Sequence, residues 1–353
     1  MLEIYLLSLA RNIYSAGQSS THLYIGKLRN LHNKSGWKTI PGVNNVFSDH
    51  TRSSVTLNKM FLKLNTETTT GHLDVILLTI YFKDVSNGIF EKFINNMKVL
   101  SSKGNKPYLF ISSCSPISIS EQKNAADILT KYKLADQFSA VKFISFGNYL
   151  DVNKQFEDRS KSTSKYSVSE GPNILFYDSL TYLSTLNFST VLLLEPDVKF
   201  VKNYWFDELA EICLLETFWI YGSYYKGNQF LHRKFSYHLN GVALYNIGNI
   251  HFMDFISILK SYHVQNEKLT GELINFDVTW EFYKDFIYKE YQNDPTVLRK
   301  IRIIDSNLMN TNLIINLSCE SDISLPIENI IVRYPKASII HQKFIKRIEL
   351  LIK

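Results

Sequence analysis

The stretch Val191–Phe200, VLLLEPDVKF, constrains the fold more than any other part of this chain. Four aliphatic residues in a row after Ser189 and Thr190 fit a strand buried on both faces. Strands of a mostly parallel sheet read this way when helices cover both sides. The run stops at Glu195-Pro196-Asp197. Pro196 has no N–H to donate to a ladder, so the strand is expected to end there. Two carboxylates then stand two positions apart at the carboxyl end of a buried strand, the edge where open α/β sheets bind ligands. Hard oxygen donors at that edge suit Mg²⁺ or Mn²⁺ carrying a substrate diphosphate. The plain alternative is a solvated turn or helix start.

The flanking segments extend the pattern. LDVILLTIYF (Leu73–Phe82) predicts another buried strand. A helix follows, with Ile89, Phe90, Phe93, Ile94, Met97 and Leu100 on one stripe and Gly104 as its stop. KPYLFISSC is the next strand, Ser118 or Ser120 caps a helix running to about Phe138, and Ala140–Phe146 is a third strand. A helix from near Pro172 leads into the central strand. This alternation predicts βαβ units and an α/β fold, a Rossmann-type, mostly parallel central sheet flanked by helices.

After the centre, Trp205–Glu216 reads as a helix, Phe218–Tyr225 as a strand, and HLNGVALYNIGN (His238–Asn249) leads into a strand. Helical patterns follow around 250–262 and 276–291. IRIID, NLIINL and ENIIVRYPKASIIHQK read as further short strands. Residues 1–71 read as an irregular N-terminal arm or small subdomain, with a short amphipathic helix over 1–16 and turn signals at Gly36 and Pro41-Gly42. Residues 147–170, charged and rich in Ser, read as a mobile loop. The tail FIKRIELLIK reads as a basic amphipathic helix that docks on its own core or touches a membrane surface.

Composition narrows the function classes. A formal charge of +6 over 353 residues, without a dense basic stripe, suits an anionic small substrate or an acidic surface better than a dedicated nucleic-acid binder. Cys114, Cys213 and Cys319 are an odd number and lack CxxC spacing, which argues against a disulfide framework or structural zinc and for a reducing, cytoplasmic setting. No stretch reaches about 18 uninterrupted apolar residues, so a soluble protein without a transmembrane segment is expected. The sequons at Asn33, Asn187 and Asn316 read as accidents of an Asn-rich chain.

GxGxxG, GxxxxGK[ST], HExxH and GxSxG are all absent, which weakens dinucleotide oxidoreductases, P-loop NTPases, zinc proteases and α/β hydrolases. What remains, in chain order, is Glu195-Pro196-Asp197, His238-Leu239-Asn240-Gly241, Asp277 with Trp280, and His341 followed by Lys343. Gly241 sits where a backbone comes close to a sugar or bends tightly. His238 and Asn240 would offer hydrogen bonds to sugar hydroxyls from a cleft. Asp277 and Glu281 share a face if 276–291 is helical, and Asp277 is the preferred proton acceptor for an attacking hydroxyl. Trp280 stacks on a sugar or, by preference, fills core. Tyr221-Gly222 is a further candidate beside a donor sugar.

Over roughly residues 72–345 this order resembles the GT-A-fold glycosyltransferases that use nucleoside diphosphate sugars, with Glu-Pro-Asp as a variant of their DxD motif. The resemblance implies that Asp197 ligates a divalent ion, Mn²⁺ or Mg²⁺, and that Glu195 holds the ribose or the metal's waters. It implies that His341 completes the metal site and Lys343 meets a phosphate. It also implies a nucleotide-sugar-binding half over 72–200, an acceptor-binding half over 201–345, and a glycan or glycoconjugate acceptor; residues 346–353 read as the end of the C-terminal helix. The competing expectations are a sugar-phosphate nucleotidyltransferase, disfavoured because TIYFKDVSNG stands where a Gly-rich, Arg-containing loop is needed, and a non-catalytic GT-A-like binding module. A metal-dependent phosphohydrolase is disfavoured by the scarcity of acidic clusters.

Overall fold

The computed structural model describes residues 54–81, 83–113, 116–146, 170–226, 237–270, 274–317 and 327–341. The expected helices at 1–16 and at the C-terminal tail, the Ser-rich loop before Glu170, and Lys343 lie outside the described residues.

A helix, Ser54–Lys63 (α1), opens the described chain within the stretch that the sequence reads as an irregular arm. It belongs to the core. Leu57 and Phe61 are buried, and the Lys300 ammonium donates to the carbonyls of Phe61, Leu62 and Leu64, groups a helix end leaves without partners. Strand Leu73–Thr79 (β1) is shorter than expected because the Asp84 carboxylate accepts the Tyr81 N–H at 2.8 Å and turns the chain. Ile89–Asn96 (α2), Tyr108–Ser113 (β2), Ile119–Lys131 (α3) and Ala140–Ser145 (β3) follow. Ser118 starts α3 with a reciprocal capping box to Glu121. The helix stops short of Phe138 because Lys133 takes a positive φ and a 3₁₀ turn follows at Ala135–Gln137.

Next come Glu170–Ser184 (α4), Thr190–Leu194 (β4), Val198–Phe200 (β5), Trp205–Leu215 (α5), Ile220–Gly222 (β6) and Leu244–Tyr245 (β7). The last part of the chain forms Ile250–Thr270 (α6), Thr279–Tyr291 (α7), Pro295–Asn307 (α8), Leu308–Asn310 (β8), Ile314–Asn316 (β9), Ile327–Arg333 (α9) and Ile339–His341 (β10). Two strand expectations are corrected here. IRIID lies within α8, which Asp294 caps before Pro295 and whose buried Val297, Ile301 and Ile304 recur at helical spacing. ENIIVR lies within α9, and among the described residues of ENIIVRYPKASIIHQK only Ile339–His341 is a strand.

A seven-stranded sheet runs in the order β3-β2-β1-β4-β7-β6-β8. Its pairs are parallel except where β7 meets β4 and β6. Alternate residues of β1 and β4 feed opposite layers. Val75, Leu77, Val191 and Leu193 pack with residues of α4 and α6, whereas Ile76, Leu78, Leu192 and Leu194 pack with residues of α2, α3 and α5. Each such buried side chain is worth about 1.5–3 kcal/mol relative to exposure. The double-sided burial read from VLLL is therefore observed. A smaller sheet, β5-β10-β9, sits beyond the end of β4. Among the described residues, no helix is long and apolar enough to cross a membrane.

Candidate functional site

The acidic turn joins the two sheets. The Val198 N–H donates to the Glu195 carbonyl at 3.1 Å, which closes a four-residue turn with Pro196 in its second position, where a fixed φ is favourable. The chain then leaves the main sheet as β5, and Asn96 Nδ2 holds the Val198 carbonyl at 3.0 Å. Strand β10 pairs antiparallel with β5, placing Ile339 opposite Phe200 and His341 opposite Val198. That register sets His341 beside the turn.

His341 Nε2 lies 3.2 Å from Asp197 Oδ1 and 3.5 Å from Glu195 Oε2. One ligand atom from each of the three residues falls within 4.8 Å of the others. His341 is fully buried, whereas the carboxylates are partly exposed. These contacts allow charge attraction without hydrogen-bond alignment: Asp197 Oδ1 and both ring nitrogens of His341 are buried and make no hydrogen bond. Burial opposes a charge on the imidazole, but Asp197 and Glu195 outweigh it and raise the His341 pKa to about 9. Buried polar atoms are rarely left without a hydrogen bond, which marks the cluster as a candidate ligand site. Two carboxylates and an imidazole form a mixed oxygen–nitrogen donor set compatible with Mn²⁺.

Gly241 connects this cluster to a cleft. A Cβ there would fall 2.6 Å from Phe276 Cζ and 3.7 Å from Glu195 Oε1, so close approach excludes a side chain. Asn240 is buried, and its Oδ1 accepts the Val242 N–H at 3.0 Å, which commits that oxygen to its own turn. Beyond Phe276 opens a cleft of about 680 Å³, lined among others by Tyr224, Tyr237, His238, Asp277, Trp280 and Glu281. His238 Nε2 faces Asp277 Oδ2 at 3.3 Å.

Asp277 does not share a helical face with Glu281. It stands on a 3₁₀ turn, Phe276–Val278, that precedes α7, although both carboxylates reach the cleft. Glu281 is paired with Lys284 at 2.8 Å. Trp280 is 5% exposed, packs edge-on against Phe255 and donates its indole N–H to Asp305 at 2.8 Å, so it is core that also forms cleft wall. Tyr221 and Gly222 lie in β6, Tyr221 in the core and Gly222 with its Cβ direction against Ala243. Sequence reasoning passed over Asn173, Phe276, Tyr224 and Tyr237. Asn173 beside Pro172 carried no signal beyond a helix start, and the aromatics were submerged in a chain with 14% aromatic residues.

The sequence matches no family model and no curated protein. Several solved structures overlay on parts of the chain. Mouse xyloside xylosyltransferase 1 does so at 12% identity and TM-score 0.43, over 76% of this chain and 97% of that one. The bifunctional glycosyltransferase WbbM gives 9% identity and TM-score 0.40, over 76% and 45%. The glycosyltransferase GlyE of Streptococcus pneumoniae TIGR4 gives 12% identity and TM-score 0.35, over 79% and 55%. The chain thus spans about half the length of the latter two. Likeness this loose carries nothing about activity. The mostly parallel sheet, with helices on both faces and an acidic turn after β4, is the Rossmann-type α/β architecture expected from the sequence.

Proposed function

We propose that this protein is a metal-dependent glycosyltransferase that moves a sugar from a nucleoside diphosphate sugar to a hydroxyl of a glycan or glycoconjugate. The observation that carries the reading is the Glu195–Asp197–His341 cluster, in which Asp197 Oδ1 and both ring nitrogens of His341 are buried and make no hydrogen bond. These three side chains would hold a divalent cation, and a cation there would neutralise the charge of a departing diphosphate. The remaining work falls to residues of the cleft. Asp277, oriented by His238, accepts the proton of the attacking hydroxyl in an inverting transfer. Aromatic walls from Tyr224, Tyr237 and Trp280 offer apolar faces to sugar rings and exclude water. Gly241 keeps the wall between cluster and cleft thin, so that donor and acceptor meet.

A panel of UDP-, GDP- and CMP-sugars, assayed for binding and slow hydrolysis with and without Mn²⁺, tests this on the wild type and on Asp197→Ala. Metal-dependent hydrolysis of one donor, reduced at least about a hundredfold in the variant, is expected. Silence across the panel, together with no affinity for Mn²⁺, would leave a non-catalytic binding module and make the acidic turn merely a turn.

A further inference from the structure

We infer that Asn173 is a positioning residue, which fixes the turn carrying Asp277 so that its carboxylate meets His238 in the cleft. The catalytic consequence rests on the transferase reading; the geometry does not. Asn173 lies in the first turn of α4 and is 4% exposed. Its Oδ1 accepts the Phe276 N–H at 2.7 Å and its Nδ2 donates to the Ile274 carbonyl at 3.0 Å. One carboxamide thus captures the backbone on both sides of Asn275, immediately before Asp277. Nδ2 also lies 3.1 Å from His263 Nε2 on α6. That nitrogen accepts only in the neutral tautomer with its proton on Nδ1, and burial keeps the ring neutral by lowering its pKa to about 4.

The same face of α4 continues the clamp. Phe176 stacks on Phe276 with ring centroids 4.1 Å apart at an interplanar angle of 15°. Tyr177 Oη donates to Thr279 Oγ1 at 3.4 Å. Residues on either side of Asp277 are therefore docked on one helix. Asp277 Oδ1 is buried and makes no hydrogen bond, so the backbone beneath it and the contact of Oδ2 with His238 set its aim. The position requires a donor and an acceptor on one short side chain. Leucine would strand two buried backbone groups, and aspartate could not donate.

Two measurements test the inference. NMR titration of the His238 imidazole reports its pairing with Asp277 without any turnover. In Asn173→Ala the titration midpoint is expected to move in the direction seen in Asp277→Ala, by about half as much or more. In transfer assays with the donor that the panel identifies, Asn173→Ala is expected to lower kcat at least about tenfold while the donor KM changes less than about twofold. In an Asp277→Ala background the same substitution should add less than about twofold, because both act through one carboxylate. An unchanged His238 titration, or effects of the two substitutions that simply multiply, would overturn the inference. If no donor is found, the transferase reading fails while the titration still decides the positioning role. If Asn173→Ala does not fold, Asn173→Asp, which keeps the acceptor and loses the donor, is judged by the same criteria.

Discussion

At the scale of single residues, the narrowest place in the molecule is Gly241. A methyl group added there would overlap Phe276 Cζ, on a ring that is also held by stacking on Phe176. Gly241→Ala is expected to cost about 1–3 kcal/mol of stability, as overpacking does. It should also lower transfer activity, because Asp277 is the next residue along the displaced backbone. Urea denaturation and a transfer assay check both. Gly241 was legible as a close approach, since small residues are required where backbone meets backbone or ligand. The partner it approaches was not legible, because Phe276 arrives from a segment distant in sequence.

At the scale of elements, α4 and α6 meet through Asn173 and His263, and this contact carries a pH dependence. Burial lowers the His263 pKa from 6.5 to about 4. Between those values the unfolded chain binds a proton that the folded protein refuses. Stability is therefore complete above the unfolded pKa and declines as pH falls towards 4, by roughly 3 kcal/mol in the limit. Asp84 acts in the opposite sense, since burial raises its pKa to about 6 and its protonation relieves a buried charge. Comparing wild type with His263→Gln by urea denaturation at about pH 7.5 and about pH 5 cancels Asp84. The variant is expected to lose less stability on acidification than the wild type. The elements themselves show where pattern reading succeeds. Strands β1 to β4 were legible because aliphatic runs flanked by turn residues leave few alternatives. IRIID was misread because a short apolar run has no period of its own, and the helical spacing appears only when Val297 is counted with it.

At the scale of the whole molecule, the two sheets are held together across the acidic turn, and a cation at the cluster would bind the folded chain alone. Mn²⁺ at a hundredfold excess over its Kd is expected to stabilise the protein by about 2.7 kcal/mol. Calorimetry should show a rise in Tm that Asp197→Ala and His341→Ala both abolish. The two variants must behave alike, because Asp197 lies in the turn before β5 and His341 at the end of β10, and they meet only in the folded state.

Sequence alone determined the double-sided burial of β1 and β4, the end of β4 at a proline, and the placing of two carboxylates at that end. These follow from local physics: hydrophobic pattern, a missing N–H and turn chemistry. Tertiary structure decided the rest. His341 reaches Asp197 because β10 pairs with β5 in one register, and a lone histidine in sequence carries no record of its partner strand. Asp277 meets His238 because α4 clamps the turn that carries Asp277, through an asparagine whose value lies in two hydrogen bonds to backbone about a hundred positions away. Contacts of that separation are fixed by packing of the whole core, which no local window of residues contains.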